Sequence, residues 1–235
     1  MTLAYHVITR AIKWLTRRLV RVHDAELARV PERGPLILVT NHINFVEIPV
    51  LFTHLLPRKV TGIAKAENWR NPTTRWLMKL WGGLPVRRGE PDLSAMRRGL
   101  ELLRTGGILA IAPEGTRSGH GKLQRGHAGV VLLGLRARAP LMPLVFYGAE
   151  HFWQNVAAFR RSDFYIITGE PFYLEAGQAK VTREMRREII DEVMYQLAAL
   201  LPPAYRGTYA NLEKATGKYL RFLPGATSNL ARAQE

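Results

Sequence analysis

Three short apolar runs constrain this fold more than any other feature of the chain: residues 35–40 (PLILVT), 108–112 (ILAIA) and 141–147 (LMPLVFY). Each opens behind a Gly or Pro, is too short for a helix, and lacks the polar alternation of a half-exposed strand. Such runs fit strands buried on both faces. Residues 60–64 and 164–168 are weaker strand candidates. Helical patterns lie between them: 46–56, stopped by Pro57; 71–81, opened by Asn71-Pro72 and ended by Gly82-Gly83; and 92–104, behind Asp92 as N-cap. Two more cover 128–137 and 181–200, the last closed by Pro202-Pro203. Strands separated by helices predict an α/β fold, with one domain over 26–203 and a mostly parallel or mixed sheet flanked by helices.

The flanks read differently. Residues 1–25 are expected to form an N-terminal amphipathic membrane-surface helix, with Val7, Ile8, Ile12, Leu15 and Leu19 recurring at helical spacing. Arg10, Lys13, Arg17, Arg18 and Arg21 supply charge, and Tyr5 and Trp14 add amphipathic rings. A helix packed on the domain with a solvated basic face is the alternative. Residues 204–235 read as a basic C-terminal tail.

With 34 Lys+Arg against 19 Asp+Glu, the net charge of +15 calls for an acidic partner: nucleic acid, an anionic bilayer or a phosphorylated substrate. Charge does not choose among them. The lack of cysteine excludes disulfides, thiolate metal sites and a Cys nucleophile. No run approaches the roughly 18 apolar residues of a membrane span. Basic residues also break up the place where a secretory signal would have its apolar core, so the chain is expected to be neither exported nor threaded through a membrane.

Two segments carry chemistry. His42 and Glu47 lie in Asn41-His-Ile-Asn-Phe-Val-Glu-Ile-Pro49, where a strand gives way to a helix. A histidine is the natural general base near neutral pH, and a carboxylate beside it fixes the tautomer. In a chain with seven histidines this pairing alone is weak. Residues 113–118 (PEGTRS) also leave an apolar run. Glycine and small hydroxyl residues there keep backbone N–H groups open, and Arg117 offers a planar fork for phosphate. Lys122 and Arg125 follow, and residues 85–89 (PVRRG) form a third basic loop. Trp69, Trp76 and Trp81 suit either lipid contact or core packing, with core the favoured reading.

The four blocks, Asn41-His42 with Glu47, Arg87-Arg88, Pro113 to Ser118, and Pro140 to Pro143, stand in the order of the motifs of the glycerolipid acyltransferase family. The chain resembles that family over residues 31–171, and its 1-acyl-sn-glycerol-3-phosphate acyltransferases best. The resemblance implies a His-Glu dyad with His42 as catalytic base and Glu47 as its acidic partner. It implies that Arg87 or Arg88 meets acceptor phosphate. Glu114, Gly115 and Arg117, with Thr116 and Lys122 in the same loop, would bind substrate, and Pro143 would shape the acyl site. Glu47 stands where Asp is usual, Asn44 where Ser is common, and Pro85-Val86 where the second block is often aromatic.

The implied activity is O-acyl transfer in phospholipid biosynthesis. A fatty acyl group would pass from acyl-CoA or acyl-acyl-carrier protein to a lysophospholipid hydroxyl, with 1-acyl-sn-glycerol-3-phosphate giving phosphatidate. No cofactor and no metal are expected. Transfer is expected to be direct, since there is neither a Cys nor a Gly-x-Ser-x-Gly elbow. The expected partners are an anionic membrane surface, the lysophospholipid and the acyl carrier, without nucleic acid. The expected place is the cytoplasmic face of the cell membrane, peripheral or monotopic. A different lyso-lipid or polyol acceptor, a hydrolase, a lipid-phosphate-binding module and a nucleic-acid-binding protein are the alternatives.

Overall fold

The computed structural model describes residues 3–87, 92–177 and 180–233. Its first helix, α1 (Leu3–Leu19), runs without a linker into β1 (Val20–His23). The expected apolar runs become β2 (Leu36–Thr40), β5 (Ile108–Ile111) and β6 (Leu141–Tyr147). Between β2 and β5 lie α2 (Glu47–His54), β3 (Val60–Lys65), α3 (Pro72–Leu80), β4 (Leu84–Val86) and α4 (Leu93–Arg104). The expected cap at Asp92 forms, and Asn71, expected to open α3, caps that helix as well. Asn71 Oδ1 accepts from Thr73 N at 2.9 Å, and Asp92 Oδ1 accepts from Ala95 N at 2.9 Å, each satisfying an amide that has no partner within its helix. The remaining elements are α5 (Gly129–Ala137), α6 (Phe152–Ala157), β7 (Ser162–Thr168), β8 (Phe172–Leu174), α7 (Arg183–Leu200) and β9 (Leu220–Phe222).

These strands make one mixed sheet in the order β1-β7-β6-β2-β5-β3-β4, with β8 paired to β6 and β9 to β8. Pairing is parallel from β6 through β4 and between β1 and β7, and antiparallel at β6–β7, β6–β8 and β8–β9. Successive β2 side chains serve opposite faces. Leu36 and Leu38 join a core with α2 and partly buried residues of α1, whereas Ile37 and Val39 join one with α5 and α7. That two-sided burial explains why the sequence shows a continuous apolar run instead of alternation.

Topology then locates the site. From β2 the chain crosses past β5 to β3, while from β5 it crosses past β2 to β6. The two parallel neighbours thus send their connections in opposite directions, and a crevice opens at their carboxyl ends, as at other switch points of open α/β sheets.

Both flanks differ from expectation. Residues 20–23 are a strand, not the last turn of a helix, because β-branched Val20 and Val22 pair with Ser162 and Phe164 of β7. In α1, partly buried Tyr5, Ile12 and Leu19 pack on the core while Val7, Trp14 and Leu15 face outward, so the apolar residues divide between two faces. The segment after Pro203, read as a tail, is fastened to the domain. β9 pairs with β8, and buried Glu192 of α7 accepts from Thr216 Oγ1 at 2.6 Å, Lys218 N at 2.8 Å and Tyr219 N at 2.9 Å. Gln196, one turn on and fully buried, accepts from Asn229 N at 2.9 Å. The tryptophans separate as well: Trp81 is buried and stacked on Phe52, Trp69 is half-buried and Trp76 is exposed.

Candidate active site

The site starts from a side chain that imitates a strand. Asn41, buried just past β2, donates from Nδ2 to Phe146 O at 2.8 Å and accepts at Oδ1 from Phe146 N at 2.7 Å. Its amide extends the β2–β6 ladder by one rung, freeing the backbone to leave the sheet, so His42 emerges at the carboxyl edge. Glu47, the first residue of α2 and only 4% exposed, folds back over that turn. Its Oε1 accepts from Ile43 N at 2.9 Å and its Oε2 from Asn44 N at 3.1 Å. Oε1 also contacts His42 Nδ1. The carboxylate therefore orients the ring through Nδ1, and Nε2 has no partner among the described residues. A histidine held this way can take a proton at Nε2 while the carboxylate stabilises the imidazolium.

The third block supports this turn from β5. Glu114 is buried; its Oε1 accepts from His42 N at 2.7 Å and its Oε2 from Gln124 N at 2.8 Å. Burial pushes its carboxyl from the ordinary 4.5 up to about 7, against the two backbone donors, which favour the ionised form. Gly115 turns the chain at φ 65, where a Cβ would also meet the His127 ring at 3.2 Å. Beyond it, Ser118 N donates to His42 O at 2.8 Å and Gly119 N to Ile43 O at 2.9 Å. The two blocks are thus laced together by main-chain bonds. The amides of His42, Ile43, Asn44, Ser118 and Gly119 are all engaged, so an oxyanion here would need other donors.

Cations ring the opening. Arg117 and Lys122 are exposed, and neither side chain has an ion pair among the described residues. Thr116, beside them, is exposed too. Arg87 sits at the carboxyl end of β4, three strands from β2, roughly 14 Å away at the usual strand spacing. It shares the edge with His42 but is separated from it by the width of two strands. Arg88 lies outside the described residues. Pro143 is buried within β6 opposite Val39, below the site and away from its opening. A cavity of about 620 Å³ lies at the other end of the sheet, against Lys59, Thr61, Gly82 and Arg98, and includes none of the four blocks.

Sequence reading overlooked Asn41 and Asn44 as site builders. Asn44 accepts at Oδ1 from Val46 N at 2.8 Å and donates from Nδ2 to Ala149 O at 2.7 Å, fixing the turn between His42 and Glu47. The available signal was an Asn directly after an apolar run and another just before a helix, both positions where Asn replaces main-chain partners.

A family model described as Acyltransferase matches residues 20–147, more than half of the chain. A 1-acyl-sn-glycerol-3-phosphate acyltransferase of Bacillus subtilis is 26% identical over 178 residues, covering 75% of this chain and 85% of that protein. One of the same name from Pseudomonas aeruginosa is 24% identical over 195 residues, 80% of this chain and 74% of the relative. The chain spans less of a chloroplastic relative from Brassica napus: 26% identity over 143 residues, 59% of this chain and 41% of that one. The crystal structure of the 1-acyl-sn-glycerophosphate (LPA) acyltransferase PlsC of Thermotoga maritima superposes with a TM-score of 0.55 at 22% identity, covering 81% of this chain and 78% of that one. At that identity the likeness speaks for the fold.

Proposed function

The chain belongs to the acyltransferase family, and we propose that it moves a fatty acyl group from acyl-CoA or acyl-acyl-carrier protein to the free hydroxyl of 1-acyl-sn-glycerol-3-phosphate, giving phosphatidate. The observation that carries this reading is His42, held at Nδ1 by buried Glu47 and, among the described residues, without a partner at Nε2, at a sheet edge where Arg117 and Lys122 are exposed and have no ion pair among those residues. The acceptor follows from the names of the Bacillus and Pseudomonas relatives and from those cations, which suit a phosphate.

In the proposed reaction His42 Nε2 takes the proton of the acceptor hydroxyl as its oxygen attacks the thioester carbonyl. Glu47 holds the ring and stabilises its positive charge. Collapse of the tetrahedral intermediate breaks the C–S bond, and the proton passes from His42 to the departing thiolate. No acyl-enzyme forms. Arg117 and Lys122, together with Arg87 or Arg88 of the second block, hold the acceptor phosphate and so set the hydroxyl's position, where most of the rate gain lies. Pro143 acts only through the shape of β6.

The enzyme would work on the cytoplasmic face of the cell membrane, meeting anionic lipid with the outward stripe of α1. Val7, Trp14 and Leu15 are exposed there, and the Arg18 guanidinium lies 5.2 Å from the Trp14 ring centre. Among the described residues no helix is long and apolar enough to cross a membrane. The test is release of free thiol from an acyl thioester, with and without lysophosphatidate, in wild type and His42→Ala. Release that needs both acceptor and His42 supports the proposal. Release that needs His42 but ignores the acceptor points to thioester hydrolysis, and release indifferent to His42 overturns the assignment.

A further inference from the structure

The corner between α6 and β7 has no part in the chemistry above, yet it is built with care. Phe159 is 100% exposed and holds φ 54, a backbone region that a bulky residue rarely adopts. The turn is locked beneath it. Phe159 N donates to Val156 O at 3.0 Å, Arg160 N to Asn155 O at 2.7 Å, and Asn155 Nδ2 to Ser162 Oγ at 2.9 Å. A bare benzyl group fixed in water gains nothing for the fold, since it buries no surface.

Its surroundings name a partner. Trp153, on α6 just before the corner, is 66% exposed and stacks on Phe45 with ring centres 5.1 Å apart; Phe45 lies three residues beyond His42. Arg160 and Arg161 are exposed next to Phe159. The Arg161 guanidinium donates to Val20 O of β1 at 2.9 Å and to Arg17 O of α1, tying the corner to the junction of the two. Because β6 runs parallel to β2, the corner stands at the same sheet edge as His42. Apolar rings beside arginines, on a chain of net charge +15, match the boundary between acyl chains and anionic headgroups. An apolar protein groove would accept the rings but offer nothing to the arginines.

We propose that this corner is a second lipid-docking element, separate from α1, in which Phe159 and Trp153 enter an anionic bilayer while Arg160 and Arg161 meet its phosphates. The Trp153–Phe45 stack then joins the docked corner directly to the turn that carries His42. The inference rests on the reading of the chain as an enzyme of lipid substrates, but its test contains no substrate, so it stands or falls apart from the reaction.

The chain has no cysteine, so Phe159→Cys provides a unique site for an environment-sensitive fluorophore. Thr105→Cys, exposed at the amino edge of the sheet, is the control. With phosphatidylglycerol-containing vesicles, the label at 159 should shift to the blue and be quenched by nitroxide-bearing acyl chains, while the label at 105 stays silent. In unlabelled protein, Phe159→Asp should weaken vesicle partitioning at least fivefold with the unfolding midpoint unchanged. A silent label at 159, or Phe159→Asp partitioning like wild type, overturns the docking element. An equal response on purely zwitterionic vesicles overturns the role given to the arginines.

Discussion

Glu114 is the residue whose replacement tests most directly how burial and hydrogen bonding compete in this site. Its carboxyl is raised from 4.5 to about 7, with burial the larger cause and the Gln124 and His42 amides opposing it. The folded state therefore binds this proton more tightly than the unfolded state. The resulting stability is fully present below about pH 4.5 and is lost as pH rises through 7. At about 1.4 kcal/mol per pH unit, the whole loss is on the order of 3 kcal/mol, and roughly 2.5 kcal/mol of it falls between pH 5 and 8. Glu114→Gln cannot titrate, so this dependence vanishes. The variant also turns an amide NH₂ toward one backbone donor, a cost of about 1–3 kcal/mol that does not vary with pH. Taking about 2.1 cal/mol/K of unfolding entropy per residue, the difference in midpoint between wild type and variant should change by about 5 °C over that range, in favour of wild type at the acid end. Thermal unfolding of both proteins from pH 5 to 8 measures it, and titrating groups that do not interact with Glu114 cancel in the difference. Parallel midpoint curves would show that Glu114 is solvated or better paired than the geometry states, and the argument would fail.

Three further outcomes are expected. Glu47→Gln should lower kcat about 10²- to 10⁴-fold with little change in KM, because ring orientation and imidazolium stabilisation act in the transition state; a change confined to KM would contradict that role. Asn41→Ala should cost about 2–4 kcal/mol by stranding both main-chain groups of Phe146, read as a fall of several degrees in the unfolding midpoint; a midpoint within a degree of wild type would refute the extra-rung account. Arg117→Ala should raise KM for a phosphate-bearing acceptor about tenfold or more while KM for the thioester stays level, and a rise in the thioester term instead would move Arg117 to the donor side.

The elements that sequence made legible were those whose local chemistry and burial agree. β2, β5 and β6 are continuous apolar runs because both their faces are covered, and α3 and α4 start at caps that bond as their residue types suggest. The pairing of His42 with Glu47 was legible too, as a strand-to-helix junction with a base and an acid one short turn apart. β4, β8 and β9 have only three residues each and owe their conformation to partner strands, which no local pattern records. β1 reads as helix because its basic, β-branched residues continue the pattern of α1 until β7 draws them straight. Glu192 and Gln196 look like the wet face of α7, and only long-range folding reveals that they fasten the last thirty or so residues. The buried position of Glu114 beneath His42 likewise depends on β2 and β5 being neighbours, although 72 residues separate the pair.

The strands at the two ends of the sheet carry one more consequence. β1 has four residues and β4 three, with Pro85 inside the latter, so neither presents a long unpaired row of amides and carbonyls to another molecule. β1 covers Ser162 to Tyr165 of β7, and the Glu26 side chain finishes the rim by accepting from Thr168 N at 2.8 Å. A chain trimmed past His23 in the hope of removing only a lipid anchor would leave Ser162 to Tyr165 of β7 as an unpaired edge, open to pairing with another chain.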